Sequence, residues 1–124
     1  MRHPVSLIAI ALWAPAARAQ DTAAVAPACA HEETAAGARR CLNVARERKG
    51  VELAAALAGA RSRAKDPAQL DTAQTTWLAF RTAQCRADAS QFEGGSLQPI
   101  LFLHCWLELT SARIRYLERL FREP

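Results

Sequence analysis

The clearest hydrophobic rhythm in the chain lies near its end. Leu103, Leu107, Thr110, Ile114, Leu117 and Phe121 recur at spacings of 4-3-4-3-4, which keeps one face of an α-helix turned to a core. The spacing predicts a last helix beginning near Gln98-Pro99. Upstream, Leu70, Ala73, Trp77 and Phe80 mark the apolar side of a second helix, expected from Asp66-Pro67 to about Gln91. Asp66 can accept a bond from the free amides of a first turn, and Pro67 suits the first helical position. The next position in step is Gln84, so the stripe weakens just before Cys85. Between Thr34 and Ala64 the chain is rich in Ala, Arg, Leu and Glu, all strong helix formers, with Thr34 as N-cap. Cys41, Val44 and Val51 share one face there, and Leu53 and Leu57 a second. Lys49-Gly50 is expected to bend or interrupt the helix between them, since a mid-helix glycine costs about 1 kcal/mol. No period-two run predicts a strand.

The breaks give the cysteines a geometry. Glu93-Gly94-Gly95-Ser96 ends the second helix, because glycine relieves the left-handed turn of a helix stop. Cys85 and Cys105 stand ten residues either side of Gly95. One unbroken helix would hold them roughly 30 Å apart, whereas a disulfide needs Cα atoms about 4.4–6.8 Å apart. Pairing them therefore requires an antiparallel hairpin. The same register sets Phe80 opposite Thr110, Trp77 opposite Arg113 and Asp71 opposite Arg119. Cys29 and Cys41 can meet only if the segment before Thr34 folds back along the first helix. Four cysteines allow three pairings, and spacing alone does not choose among them. The expected arrangement is Cys29–Cys41 and Cys85–Cys105. The fold class is then all-α: a small hairpin or bundle of three to four helices stapled by two disulfides.

The N-terminus reads as an export signal. Arg2 and His3 precede the apolar stretch Val5 to Trp13, and Ala17-Arg18-Ala19 has the small-x-small pattern of a cleavage site. Residues 1–19 are expected to be a signal peptide, 20–28 a loose arm, and 29–124 the helical domain. The apolar stretch is shorter than the roughly 20 residues of a membrane span. Removing Arg2 and Arg18 lowers the net charge from +4 to +2, too small for a nucleic-acid footprint. An even number of cysteines in a short exported chain fits disulfides and a periplasmic or secreted location.

Chemistry is sparse. HExxH, GxSxG, P-loop and GxGxxG patterns do not occur. Cys29, His31, Glu32 and Glu33 match no closed zinc spacing, so neither metal nor cofactor is expected. Glu93 and Glu108 are not placed across a cleft by anything in the pattern, and His104 stands beside Cys105 without a clear acid–base partner. The chain does not read as an enzyme. Trp and Arg are the usual hot-spot types of protein interfaces, which makes Trp106 and Arg81 candidate partner-binding residues. Glu93 at the Gln91–Ser96 tip is a third. Against that stands a structural role. Trp77 keeps helical step with Leu70 and Phe80, and Arg81 faces Glu108 closely enough to pair with it. Trp106 lies off the main stripe, either covering the Cys85–Cys105 bridge or exposed for binding.

The order Ala73-Gln74-x-x-Trp77, Phe80-Arg81-x-x-x-Cys85, Gly94-Gly95-Ser96, Cys105 and Leu109-Thr110-x-x-Arg113 resembles the LprI-type lysozyme inhibitor family. The resemblance runs from about Cys29 to Leu120 and is most specific in the second half. In the first half the family favours an Asp-x-x-Leu-Asn-x-x-Tyr stretch, where this chain has Gly50, Leu53, Ala54 and Leu57. The resemblance implies an exported helical domain of the bacterial envelope that binds a protein, in some members a host lysozyme. The alternative is an immunity or envelope-complex module unrelated to lysozyme. Its motif residues here are Gln74, Trp77, Arg81, Gly94, Gly95, Ser96, Thr110 and Arg113.

Overall fold

A computed structural model describes residues 29–122. The expected leader and arm, residues 1–28, lie outside the described residues. Three helices follow in order: α1 (Ala35–Arg63), α2 (Pro67–Ser90) and α3 (Gln98–Leu120). No strand occurs among the described residues. Thr34 caps α1, its Oγ1 accepting from the Gly37 amide at 3.0 Å. Asp66 caps α2 in the same way, accepting from the Gln69 amide at 3.0 Å, with Pro67 in the first turn. Helix α1 runs unbroken through Gly50, contrary to the expected bend. Gly50 faces open space, so the missing side chain costs propensity without opening the backbone.

Helix α3 is the centre of the fold. It packs against both other helices, which touch each other little. Leu42 of α1 meets Leu103, Trp106 and Leu107 in one apolar cluster, while Leu53 and Ala60 meet Ile114 and Leu117 in a second. Helices α1 and α3 are therefore parallel, with α2 antiparallel to both. The predicted stripe on α3 is the buried one, with Phe121 half-buried at its end and Trp106 added. Leu42, Leu107 and Leu117 are fully buried; burying such side chains stabilises by about 1.5–3 kcal/mol each.

Two faces differ from expectation. On α1, Val44 and Val51 point to solvent, and the buried positions are Leu42, Leu53 and Ala60. On α2, Phe80 is 50% exposed, and the buried positions are Gln74, Arg81, Cys85 and Ala89. Leu70 and Trp77 do pack on the second cluster. A polar residue can take an inward position when its donors find partners there, and Arg81 does so. Asp71 also differs. It accepts from Arg61 of α1 through two bonds, at 2.7 and 2.8 Å, rather than facing Arg119. That pair ties α1 to the start of α2.

Both disulfides form, with Cα–Cα distances of 5.8 Å for Cys29–Cys41 and 5.4 Å for Cys85–Cys105. All four cysteines belong to the first apolar cluster. The covalent staples thus sit together at one end of the molecule, the end that carries the α2–α3 turn.

Candidate functional site

Between the two apolar clusters lies a layer of arginines and aromatic rings. Arg81 reaches from α2 toward α3 and donates from Nη1 to Thr110 Oγ1 at 3.0 Å, and Thr110 in turn donates to the Trp106 carbonyl at 2.6 Å. The Arg81 guanidinium lies 4.1 Å from the Trp106 ring centroid and 5.1 Å from that of Trp77. Arg113 continues the series, 5.5 Å from Trp77 and 5.4 Å from Tyr116, with its Nε donating to Gln74 Oε1 at 3.0 Å. At the other end Arg46 of α1 lies 5.4 Å from Trp106. The sequence Arg46–Trp106–Arg81–Trp77–Arg113–Tyr116 thus alternates cation and ring across all three helices.

This layer holds no carboxylate. Among the described residues none of the three arginines forms an ion pair. Burial pushes the Arg81 guanidinium below its ordinary pKa, and the positive charge of Arg46 pushes the same way. Arg113 is lowered by burial, with Tyr116 acting in the opposite direction. Arginine starts so high that both remain charged at neutral pH. The quadrupole of the indole face offsets part of the desolvation, by about 0.5–2 kcal/mol per contact. The Arg81 Nε is buried with no hydrogen-bond partner.

The structure thus gathers five of the motif residues, Gln74, Trp77, Arg81, Thr110 and Arg113, in one interhelical layer. Trp77 faces Arg113 as the hairpin register requires. Arg81 does not pair with Glu108, which is exposed; its partners are the Thr110 hydroxyl and the two indoles. Trp106 is 7% exposed and packs in the cluster that contains both bridges. His104 has no hydrogen-bond or carboxylate partner among the described residues. No group of three or more His, Cys, Asp or Glu side chains among them could hold a metal ion.

Gly94, Gly95 and Ser96 lie apart from this layer, in the exposed turn of residues 91–97. Gly94 has φ +76°, a region that side-chain-bearing residues rarely adopt. Its amide donates to Gln98 Oε1 at 3.2 Å, and the Gly95 amide donates to the Phe92 carbonyl at 3.0 Å. Glu93 is exposed on this turn. Phe92 and Leu97 flank it at 48% and 50% exposure. The Cys85–Cys105 bridge closes the hairpin behind them.

The Lysozyme inhibitor LprI family matches residues 26–117. The chain belongs to the LprI family. That is a family of inhibitors rather than of enzymes, and the two disulfides suit an extracytoplasmic protein. No helix among the described residues is long and apolar enough to cross a membrane. A segment of 51 residues, 41% of the chain, is 37% identical to an uncharacterized protein of Rhizobium meliloti. The match spans 37% of that protein's length. No solved structure matches the chain.

Two features of this surface do not follow from the sequence pattern. Arg46 reaches Trp106 only through the register of α1 on α3, which the hairpin logic of α2 and α3 does not touch. Its signal was indirect: Arg46 lies one turn beyond Leu42, the true core position of α1. Phe92 and Leu97 flank what the sequence marks only as a helix stop, and their exposure shows only in the structure.

Proposed function

We propose that this is an exported lysozyme-inhibitor-like protein that presents the α2–α3 tip to a concave site on its target. The observation that carries the reading is the exposure of Phe92 and Leu97 on either side of Glu93, on a turn braced by Cys85–Cys105. Apolar anchors on a rigid turn bind with little loss of conformational entropy. Glu93 supplies a hydrogen-bond acceptor for donors that line a saccharide-binding cleft. Family membership supports the choice of target, and the Ala17-Arg18-Ala19 pattern supports export.

Charge shapes the expected kinetics. Host c-type lysozymes are strongly basic, and this chain without its leader carries about +2, so long-range attraction does not speed their encounter. Affinity then has to come from slow dissociation.

Cell-wall turbidity assays with c-type, g-type and i-type lysozymes test the proposal. Inhibition of at least one class is expected, with loss of inhibition in the double variant Phe92→Ser, Leu97→Ser at unchanged melting temperature. No inhibition of any class at micromolar protein refutes it and leaves the alternative of an immunity or envelope-complex module.

A further inference from the structure

Trp106 meets two guanidiniums from different helices, Arg81 at 4.1 Å and Arg46 at 5.4 Å. The two arginines differ in their surroundings. Arg81 is 9% exposed, while Arg46 is open to solvent. Arg46 makes no hydrogen bond or ion pair with any described residue, so its donors are unspent. Beside it lies an open cavity of about 450 Å³, lined by Asn43, Arg46, Glu47, Gly50 and Trp106. Gly50 contributes no side chain, and a Cβ there would meet nothing within 4 Å. The absence of a side chain keeps that wall of the cavity open.

We propose that this cavity binds a carboxylate carried by an acidic segment of a partner protein, with Arg46 as the charged donor, Asn43 as a second donor and Trp106 as the apolar floor. The inference takes from the proposed function only that the partner is a protein. Arg81 does not touch the ligand. It is a buried positive charge against the same ring, bonded to Thr110 through Nη1 and left without a partner at Nε. Two like charges at one ring repel, and a carboxylate at Arg46 relieves that repulsion as well as pairing with Arg46. A guanidinium is suited to the task because ring contact uses its face and leaves its edge donors for a forked bond.

Glu47 lines the same cavity but forms no ion pair with Arg46. Its charge weakens the pull on any anion placed there.

The test is an NMR titration of the disulfide-bonded protein with a capped tetraglutamate peptide, with capped tetraglutamine and inorganic phosphate as controls. The Trp106 indole N–H and the Arg46 Nε–H are expected to shift saturably with tetraglutamate and not with tetraglutamine. Binding should weaken as salt rises. Arg46→Gln should weaken it about tenfold, and Glu47→Gln should tighten it about threefold. Gly50→Leu, which fills the cavity and leaves Arg46 in place, should also abolish it. Tetraglutamate that leaves both resonances unshifted overturns the site, as does equal binding by Arg46→Gln or by tetraglutamine. Tighter binding of phosphate than of the peptide overturns the carboxylate assignment. The readout is independent of the turbidity panel: lysozymes left uninhibited refute the proposed function, whereas an unshifted Trp106 refutes this site.

Discussion

Replacing Arg81 by methionine tests whether a cation held by two indoles stabilises this fold. The wild-type side chain makes one hydrogen bond, to Thr110 at 3.0 Å, and two ring contacts at 4.1 and 5.1 Å. A hydrogen bond from a charged donor contributes about 1.5–3 kcal/mol. The closer, desolvated ring contact adds about 1–2 kcal/mol and the second about 0.5–1. Opposing them are the cost of the unpartnered Nε, about 1–3 kcal/mol, and the repulsion from Arg46. Methionine keeps an unbranched stem and gains sulfur–ring contacts of about 0.3–1.5 kcal/mol. Thr110 keeps its bond to the Trp106 carbonyl, so no buried hydroxyl is orphaned. The net expectation is that Arg81→Met destabilises by about 1–2 kcal/mol, and Arg81→Ala by about 2–4 because a cavity is added. Urea is the denaturant of choice, since guanidinium competes for the same rings. With the disulfides intact, the midpoint should fall by about 0.5–1 M for a slope typical of small proteins. A methionine variant as stable as the parent, or more stable, refutes the reasoning. It would place Arg81 among the buried charges that an apolar side chain replaces without loss.

Three further outcomes follow from the same geometry. The double variant Cys85→Ala, Cys105→Ala opens a link across 20 residues; it should cost about 3 kcal/mol, and a melting temperature within a few degrees of the parent would contradict this. Gly94→Ala forces a side chain into φ +76° and should cost about 1–2 kcal/mol, whereas Gly95→Ala, which meets only the Phe92 carbonyl at 3.3 Å, should cost less; the reverse order would misplace the turn. Gly50→Ala sits mid-helix in open space and should stabilise by about 0.5–1 kcal/mol; a loss of stability would mean that the glycine has a steric role at the cavity.

How much of this was legible in the sequence depended on what each helix buries. The face of α3 is made of large aliphatic side chains in regular step, so periodicity found it. The Cys85–Cys105 register followed from Gly95 by chain geometry, and it placed Trp77 correctly against Arg113. Helix α2 was legible in part: Leu70 and Trp77 pack inward, but hydrophobic periodicity alone puts Phe80 on the inner face and says nothing of the polar residues that take it. Its inner face includes Gln74 and Arg81, each bonded to a partner on α3, and Phe80 stands on the outside. Helix α1 was also legible in part, since Leu53 and Leu57 do pack on the second cluster while Val44 and Val51 do not. Its contact with α3 is formed at widely spaced positions, Leu42, Leu53 and Ala60, with small residues between. An alanine-rich helix carries little contrast between its faces, so Val44 and Val51 drew the eye. Arg46 depended on that same unread face.

The position of the motif residues bears on where function resides in this family. Gln74, Trp77, Arg81, Thr110 and Arg113 all turn inward, and the contacts each makes are to another helix or to another member of the layer. Such residues fix how α2 and α3 meet; they offer a partner little to touch. Yet the layer is electrostatically incomplete, because three cations share it with no carboxylate among the described residues. At the Arg113 end the cation is answered by Gln74 and Tyr116. At the Arg46 end only the Trp106 ring meets it, with no hydrogen bond or ion pair among the described residues, and there the surface opens into a cavity. The same residues that clamp the hairpin thus leave one unbalanced charge at a defined place. A partner that reads that charge would sense whether the hairpin is correctly formed, which couples recognition to the fold without requiring the motif itself to be exposed.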